Sequence, residues 1–370
     1  MWYIWSHWVV AFEEAWYQTV ILDNLSNSTI KTLNWIEKIL GYKPDFYKVD
    51  LRDEGSLENV FKKYKFDWVI HFAWLKAVWE SCEKPLEYFD NNIVWSLKLF
   101  ELMNKYNVKN IIFSSSATVY DIPLSQVFHQ IPQPTTLSGG EGIDQKGVDQ
   151  KKWIAENNKT WNTTNPYWTT KFLLEQILVD LAKFSWFRVM NLRYFNPIWA
   201  HKSWFLWEDP FGIPNNLLPY VMKVAAWNLK QLQVFWGDYD TVDWTGVRDY
   251  IDVVDLIDWH LNAWEKIITN PCSTAPHPNP LPRGEGIDQK EWIFEVYNLW
   301  VGKWVSVLEI VKEAEKVTWK KIYYNIVDRR AWDIAEVFCN PEKALKELWW
   351  KSETSLEDSL KNSWKFYSGK

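Results

Sequence analysis

Tryptophan outnumbers glycine 29 to 13 in this 370-residue chain, an inverted ratio that limits which backbones it can adopt. Glycine averages about 7% of residues, so a chain of this length is expected to hold roughly twice as many. The excess tryptophan falls at turns and close approaches: Trp2 and Trp5 in an opening loop, Trp168 directly after Tyr167, Trp236 before Gly237, Trp244 two residues before Gly246, and Trp332 in Arg330-Ala331-Trp332-Asp333. Such positions call for φ > 0 or for no Cβ, which glycine tolerates and an indole does not. Some genetic codes read the UGA triplet as glycine and others as tryptophan. Most of these tryptophans are therefore read as glycines translated with the wrong table, whereas Trp350 and Trp364 are read as genuine. A literal reading would overpack the chain at about 1–3 kcal/mol per site, and dozens of such sites exceed the stability of any domain.

Composition then excludes several classes. The formal charge is −6 and no Lys/Arg stripe occurs, so no nucleic-acid footprint is expected. No apolar run reaches the roughly 18 residues of a membrane span, and no signal peptide is visible, so the expected location is the cytoplasm. Cys82, Cys272 and Cys339 are odd in number and far apart, which fits reduced thiols rather than a disulfide framework or a zinc site. The 6 histidines are unclustered, and no metal site is expected.

Short apolar runs alternate with helical patterns through the first half. Thr19–Leu22, Phe46–Val49, Val69–Ala73 and Asn110–Phe113 read as strands, with helices over Leu86–Tyr106 and Phe172–Phe184. The alternation predicts an α/β fold with a doubly wound parallel sheet. From about Asn196 the pattern is irregular and proline-rich, as expected of a smaller C-terminal substrate-binding part. The predicted division is 1–195 and 196–370, with some later segments returning to the first part. Gly140-Glu141-Gly142-Ile143-Asp144-Gln145-Lys146 recurs as Gly284-Glu285-Gly286-Ile287-Asp288-Gln289-Lys290. The two copies read as loop inserts, because two units so far apart cannot stack as a repeat.

Three elements of the sequence point to chemistry. With Trp2 and Trp5 restored to glycine, Met1–His7 reads as the tail of a glycine-rich dinucleotide loop whose first strand lies ahead of Met1. Asp23 then stands at the distance of an acid for a ribose hydroxyl. Tyr167-Trp168-Thr169-Thr170-Lys171 is a Tyr-x-x-x-Lys, which on a helix puts both side chains on one face. An ammonium beside a phenol favours phenolate, as a tyrosine general base requires; a solvated helix pair has the same spacing. Ser114-Ser115-Ser116 ends a strand, where ligands bind in open α/β sheets, so Ser116 either hydrogen-bonds the reacting oxygen or belongs to a polar turn.

With these elements in place, the chain resembles the UDP-glucose 4-epimerases of the extended short-chain dehydrogenase/reductase superfamily, over nearly its whole length apart from the two inserts. The matching stretches include Tyr3–His7, Ile21–Leu25, His71–Val78, Asp90–Asn92, Ser114–Tyr120, Arg193–Pro197, Gly212–Leu217 and Gly246–Tyr250. The family has glycine where Trp5, Trp74, Trp168, Trp199, Trp236 and Trp244 stand here. The resemblance implies tightly bound NAD, a UDP-sugar substrate and a homodimer. Trp2, Tyr3, Ile4 and Trp5 would form the pyrophosphate turn. Asp23 and Asn24 would hold the adenosine ribose, Asp50 and Leu51 would flank the adenine, and Phe72, Ala73, Lys76 and Asn91 would line the NAD cleft. Ser116, Tyr167 and Lys171 would be the catalytic trio, with Tyr167 and Lys171 also touching the cofactor. Asn196, Asn216, Gln233, Val234, Phe235, Arg248, Arg330 and Asp333 would grip the UDP-sugar; guanidinium groups suit phosphate oxygens. His71 reads as a packed strand residue. Val337 stands where some relatives place tyrosine against the sugar 2-substituent, so an N-acetyl sugar is expected to fit.

The nearest enzymatic rival, a nucleotide-sugar 4,6-dehydratase, uses an Asp-Glu pair after a threonine; Ala117-Thr118 stand there and neither ionises usefully. A non-catalytic dinucleotide-binding remnant is the other alternative, against which the intact Ser116, Tyr167 and Lys171 stand.

Overall fold

The computed structural model describes residues 2–121, 154–160, 163–194, 196–198, 200–208, 214, 216–235, 237, 239, 241–269, 292–328, 339–349 and 351–369. Both insert copies, Cys272, Trp199, Trp236, Trp332, Trp350, Arg330, Asp333 and Val337 lie outside these residues.

The first half alternates as the sequence predicts. Strands β1 (Val20–Leu22), β2 (Asp45–Tyr47), β3 (Trp68–His71) and β4 (Asn110–Ser116) are separated by helices α2 (Lys31–Leu40), α3 (Glu54–Lys63), α4 (Val78–Glu83), α5 (Pro85–Phe89) and α6 (Trp95–Lys105). α7 (Pro166–Ser185) then leads into β5 (Arg188–Tyr194). β3, β4, β5 and a late strand, β9 (Ile293–Asn298), form a four-stranded parallel sheet in that order, while β1 and β2 pair in parallel. Both faces of the larger sheet are covered. Ile112 of β4 with Met190 and Leu192 of β5 joins one core cluster, and Ile111, Phe113 and Val189 join the other. Alternate residues of one strand point to opposite faces, so a strand buried on both sides reads as a continuous apolar run. That is why Asn110–Phe113 is legible as a strand.

The remaining strands build two smaller sheets. β6 (Asn196–Ile198) pairs in parallel with β8 (Val247–Asp252), which pairs antiparallel with β10 (Trp304–Ser306); β7 (Leu232–Phe235) pairs in parallel with β11 (Tyr324–Val327). Helices α8 (Leu217–Ala225), α10 (Val307–Thr318) and α11 (Leu356–Tyr367) close a third core cluster around Val221, Leu232, Ile310 and Leu360.

Three expectations change. The opening loop is instead a helix, α1 (Trp2–Glu14), whose Ile4, Trp8 and Phe12 at i,i+4 spacing bury one stripe against α2 and α9 (Val253–Thr269). Trp5 and Trp168 are helical and impose no positive φ. The helix expected over Leu86–Tyr106 is interrupted by a π-helical turn, Asp90–Val94, a feature often found at functional sites.

The backbone supports the glycine reading elsewhere. Nine described non-glycine residues have positive φ, and seven are tryptophan: Trp16, Trp186, Trp204, Trp227, Trp244, Trp319 and Trp349. Trp186 and Trp319 are left-handed caps closing α7 and α10, the role Gly41 plays for α2. Trp16, Trp319 and Trp349 are 96%, 91% and 89% exposed. Inside, the indole Nε1 atoms of Trp5, Trp8, Trp74, Trp207 and Trp264 are buried with no hydrogen-bond partner, an arrangement that buried tryptophans ordinarily avoid.

Candidate active site

α7 brings together two of the three predicted catalytic side chains. Asn165 caps the helix by accepting a hydrogen bond from the Trp168 amide at 3.1 Å, and Pro166 opens it with a preset φ. Tyr167 and Lys171 therefore fall on one face, and α7 packs on β4 and on the 3₁₀ turn Ala117–Val119 that follows Ser116. All three serines belong to β4, so Ser114–Ser116 is strand rather than turn. The Ser116 hydroxyl accepts from the Thr118 hydroxyl at 2.9 Å, and the Ser114 hydroxyl pairs with that of Tyr194.

The electrostatics depart from the expectation. Lys171 is fully buried; its Nζ donates to the Ser114 carbonyl at 2.6 Å and lies 3.6 Å from the centre of the Trp74 ring. Burial pulls the ammonium well below its ordinary range, and Glu175 one turn further along α7 pulls the other way. The Tyr167 phenol, expected to be lowered by Lys171, is instead raised by burial alone. The physical reason is visible: the ammonium is spent on a carbonyl and on the face of an indole, at a position where the resemblance implies glycine.

A cavity of about 250 Å³ opens between β1 and β3. It is lined by several predicted cofactor residues: Trp5, Asp23, Asn24, Leu51, Phe72, Ala73 and Asn91. Tyr3 and Ile4 instead face the core beneath α1, and Trp2 lies at the start of the helix. The Asp23 carboxylate accepts from the Leu25 amide at 2.7 Å and the Ser28 hydroxyl at 2.9 Å. Asn24 donates to Asp50 at 3.0 Å, and the Arg52 guanidinium forks onto Asp50 and holds it well below the usual carboxylate range. Lys76 points elsewhere, to Glu208 at 3.9 Å, where Asn216 also donates at 2.5 Å. Asp23 and Asn24 give one end of this cavity acceptors of the kind a ribose needs, beside an apolar slot between strand ends. Trp5 and Trp74 narrow the same space, since Trp74 also lines the cavity.

Among predicted substrate residues, Asn196 pairs across β6 with Tyr250, and its Nδ2 is buried with no hydrogen-bond partner. Gln233, Val234 and Phe235 lie on β7, and Arg248 on β8 donates from Nη1 to the Val247 carbonyl at 2.9 Å.

His71 is a packed strand residue, as expected. Its Nε2 meets the Ser96 hydroxyl at 2.8 Å, and burial, with Lys171 nearby, lowers it from 6.5 to about 3. A folded-state value below the unfolded one gives a contribution that is complete above pH 6.5 and is lost as pH falls toward 3. His71→Asn is therefore expected to cost more stability at pH 7 than at pH 5, by about 2 kcal/mol. Urea unfolding of parent and variant at both pH values measures the difference; equal costs would place an ionised His71 in the fold.

Sequence reasoning missed three polar residues around the trio and a fourth, Glu208, beside Lys76 and Asn216. Glu175 repeats the i,i+4 step from Lys171 and could have been found by extending that spacing. Arg193, which binds Glu175, and Asn92, which ties the Leu75 backbone to the Thr170 hydroxyl at 3.1 Å, stood within matched stretches but had no role assigned. Glu208 had no local signal.

A model of the NAD dependent epimerase/dehydratase family matches residues 3–271. The chain belongs to this family. It is 42% identical over 369 residues to UDP-glucose 4-epimerase of Bacillus subtilis (strain 168), covering 99% of the chain and 94% of that protein. To the Pasteurella multocida (strain Pm70) enzyme it is 44% identical over 363 residues, covering 98% and 94%. The crystal structure of UDP-glucose 4-epimerase from Bifidobacterium longum in complex with NAD+ and UDP superposes with a TM-score of 0.81 at 41% identity, over 99% of this chain and 96% of that one.

Proposed function

We propose that this chain interconverts UDP-glucose and UDP-galactose with bound NAD, and that Tyr167 is its general base. The observation that carries the reading is the placement of Tyr167 and Lys171 on one face of α7, against the carboxyl end of β4. Curated UDP-glucose 4-epimerases at about 40% identity over nearly the whole chain support it.

Asp23, Asn24, Leu51, Phe72, Ala73 and Asn91 would hold the cofactor, with Asp50 fixing Asn24 and Trp2, Tyr3, Ile4 and Trp5 starting the helix beside it. NAD, when bound, supplies a hydride acceptor and donor for sugar C4. The protein's own work is proton management and grip. Tyr167 takes the proton from the 4-hydroxyl as the C4–H bond breaks and returns it after the 4-keto sugar has turned over in the site. Ser116 donates a hydrogen bond to the same oxygen. Lys171 offsets the phenolate charge, which requires its ammonium to leave the Trp74 face. Asn196, Asn216, Gln233, Val234, Phe235 and Arg248, with Arg330 and Asp333, hold the UDP, and Lys76 contributes through Glu208 and Asn216. A firm nucleotide grip and a loosely held sugar allow that rotation. Residence in the cytoplasm and assembly as a homodimer belong to the same proposal, as does the division into parts 1–195 and 196–370.

The test is a coupled assay of UDP-galactose to UDP-glucose conversion with the full chain produced under its source's own decoding. Net conversion in both directions without added reductant is expected; release of a 4-keto-6-deoxy sugar would replace the reading with the dehydratase one.

Acceptance of UDP-N-acetylglucosamine is the finer proposal. Replacing Val337 with tyrosine is expected to remove N-acetyl activity by more than about tenfold while sparing UDP-glucose, because steric rejection exceeds the 1–3 kcal/mol of a methylene difference. Steady-state rates on both sugars decide it; a parent inert on the N-acetyl sugar places the gate elsewhere.

A further inference from the structure

Behind the trio lies a buried charge cluster that the proton-transfer steps above do not use. Glu175 is 1% exposed and Arg193 4%. The two form a bidentate pair, Arg193 Nε to Glu175 Oε1 at 3.0 Å and Nη2 to Oε2 at 2.5 Å. Ser115, between the two serines that serve the site, donates its hydroxyl to the same Oε1. On the far side the guanidinium stacks 4.6 Å from the Tyr120 ring, whose hydroxyl donates to Asn298 at 2.7 Å. Glu175 of α7 is fixed from two further elements, β4 and β5.

Placement gives the pair a direction. Tyr167, Lys171 and Glu175 recur at i, i+4 and i+8, so they line one face of α7, and the carboxylate is the neighbour Lys171 meets one turn on. The charges facing this pair of titrating groups come from every side. His71 on β3 is neutral through burial, Tyr88 on α5 and Tyr194 on β5 are buried phenols, the Ser114 carbonyl of β4 accepts from Lys171, and Arg193 of β5 is paired with Glu175. Within the described residues, Glu175 is the carboxylate that acts on Lys171. Little solvent remains to screen it.

Resting on the epimerase reading, we propose that Glu175, locked by Arg193 and Ser115, is a positioning residue that keeps the buried Lys171 protonated and so sets the pH range over which Tyr167 serves as base. The carboxylate never touches substrate; it acts through Lys171. Arg193 holds both carboxylate oxygens of Glu175 and Ser115 donates to one of them, so the anion is fixed one helical turn from Lys171. Removing only the carboxylate charge does two things at once: it takes an anion from Lys171 and leaves Arg193 as a second, unpaired cation nearby.

The test uses two variants of the full chain and two readouts. Glu175→Gln is expected to move the alkaline limb of the kcat/KM profile down by at least about one pH unit, a tenfold loss on that side, with UDP affinity unchanged by calorimetry. Breaking a buried pair destabilises, whereas replacing both partners is tolerated far better. The double variant Glu175→Gln/Arg193→Met is therefore the control for folding, and its limb is expected between those of parent and single variant. The second readout is the phenolate absorbance of Tyr167, taken as the difference between each chain and its Tyr167→Phe counterpart during titration. It reports the same order of shifts even if the parent turns over no UDP-sugar, so failure of the epimerase reading and failure of this proposal are separable. A double variant with the parent's alkaline limb and phenolate titration would overturn the proposal and leave the pair a structural strut, whether or not the single variant folds.

Discussion

Replacing Tyr167 with phenylalanine is expected to lower UDP-galactose turnover by about 10²–10⁴-fold, the usual contribution of a positioned general base, while UDP affinity stays within twofold of the parent. The substitution removes one oxygen and keeps the ring. Half-buried Tyr167 packs beside Trp168, Tyr120 and Ala117 through its ring, and among the described residues its hydroxyl makes no hydrogen bond. Folding should therefore be indifferent to the change, which separates chemistry from stability more cleanly than a change at Lys171, whose ammonium holds the Ser114 carbonyl. Rates in both directions with calorimetric UDP binding measure the split. Turnover near that of the parent would remove Tyr167 from the mechanism.

The second large effect concerns the tryptophans. Tryptic peptides of the protein purified from its source are expected to contain glycine at positions 168, 186, 199, 244 and 319, and mass spectrometry reads this directly; tryptophan there would end the decoding argument. The energetic consequence follows from the backbone. Seven tryptophans sit at φ between 55° and 67°. A residue with a Cβ costs about 1–2 kcal/mol in that region, so the seven together cost on the order of 10 kcal/mol, comparable with the entire stability of a domain. The chain decoded with glycine should show a cooperative urea transition at a denaturant concentration where the literal-tryptophan chain is already unfolded or molten. Trp74 adds a functional consequence: glycine there removes the ring under the Lys171 ammonium and frees that charge to face Tyr167.

Much of the architecture was legible because its signals are local. Apolar runs of β1, β3 and β4 gave the alternation, and the i,i+4 spacing of Tyr167 and Lys171 gave the shared helix face; both depend on residues within one or two turns of each other. Trp244 was readable as a left-handed position from its neighbourhood alone, and its φ is 66°. The start of α1 was misread for the same reason. A loop was expected because glycine-rich tails are loops, yet the stripe Ile4, Trp8, Phe12 already had helical period.

By itself, then, the sequence determined the fold class, the family, and the pair of side chains that could perform proton transfer, all encoded in short-range period and motif. Only the tertiary structure decided what those side chains experience. Ser115 meets Glu175 across 60 residues, Arg193 across 18, and Lys171 meets the Ser114 carbonyl across 57. Such contacts exist only once β4, β5 and α7 close together, and burial is a property of that closure. The charge on Lys171 and the proton on Tyr167 are set there, where removal from water competes with a few fixed charges over a few ångströms.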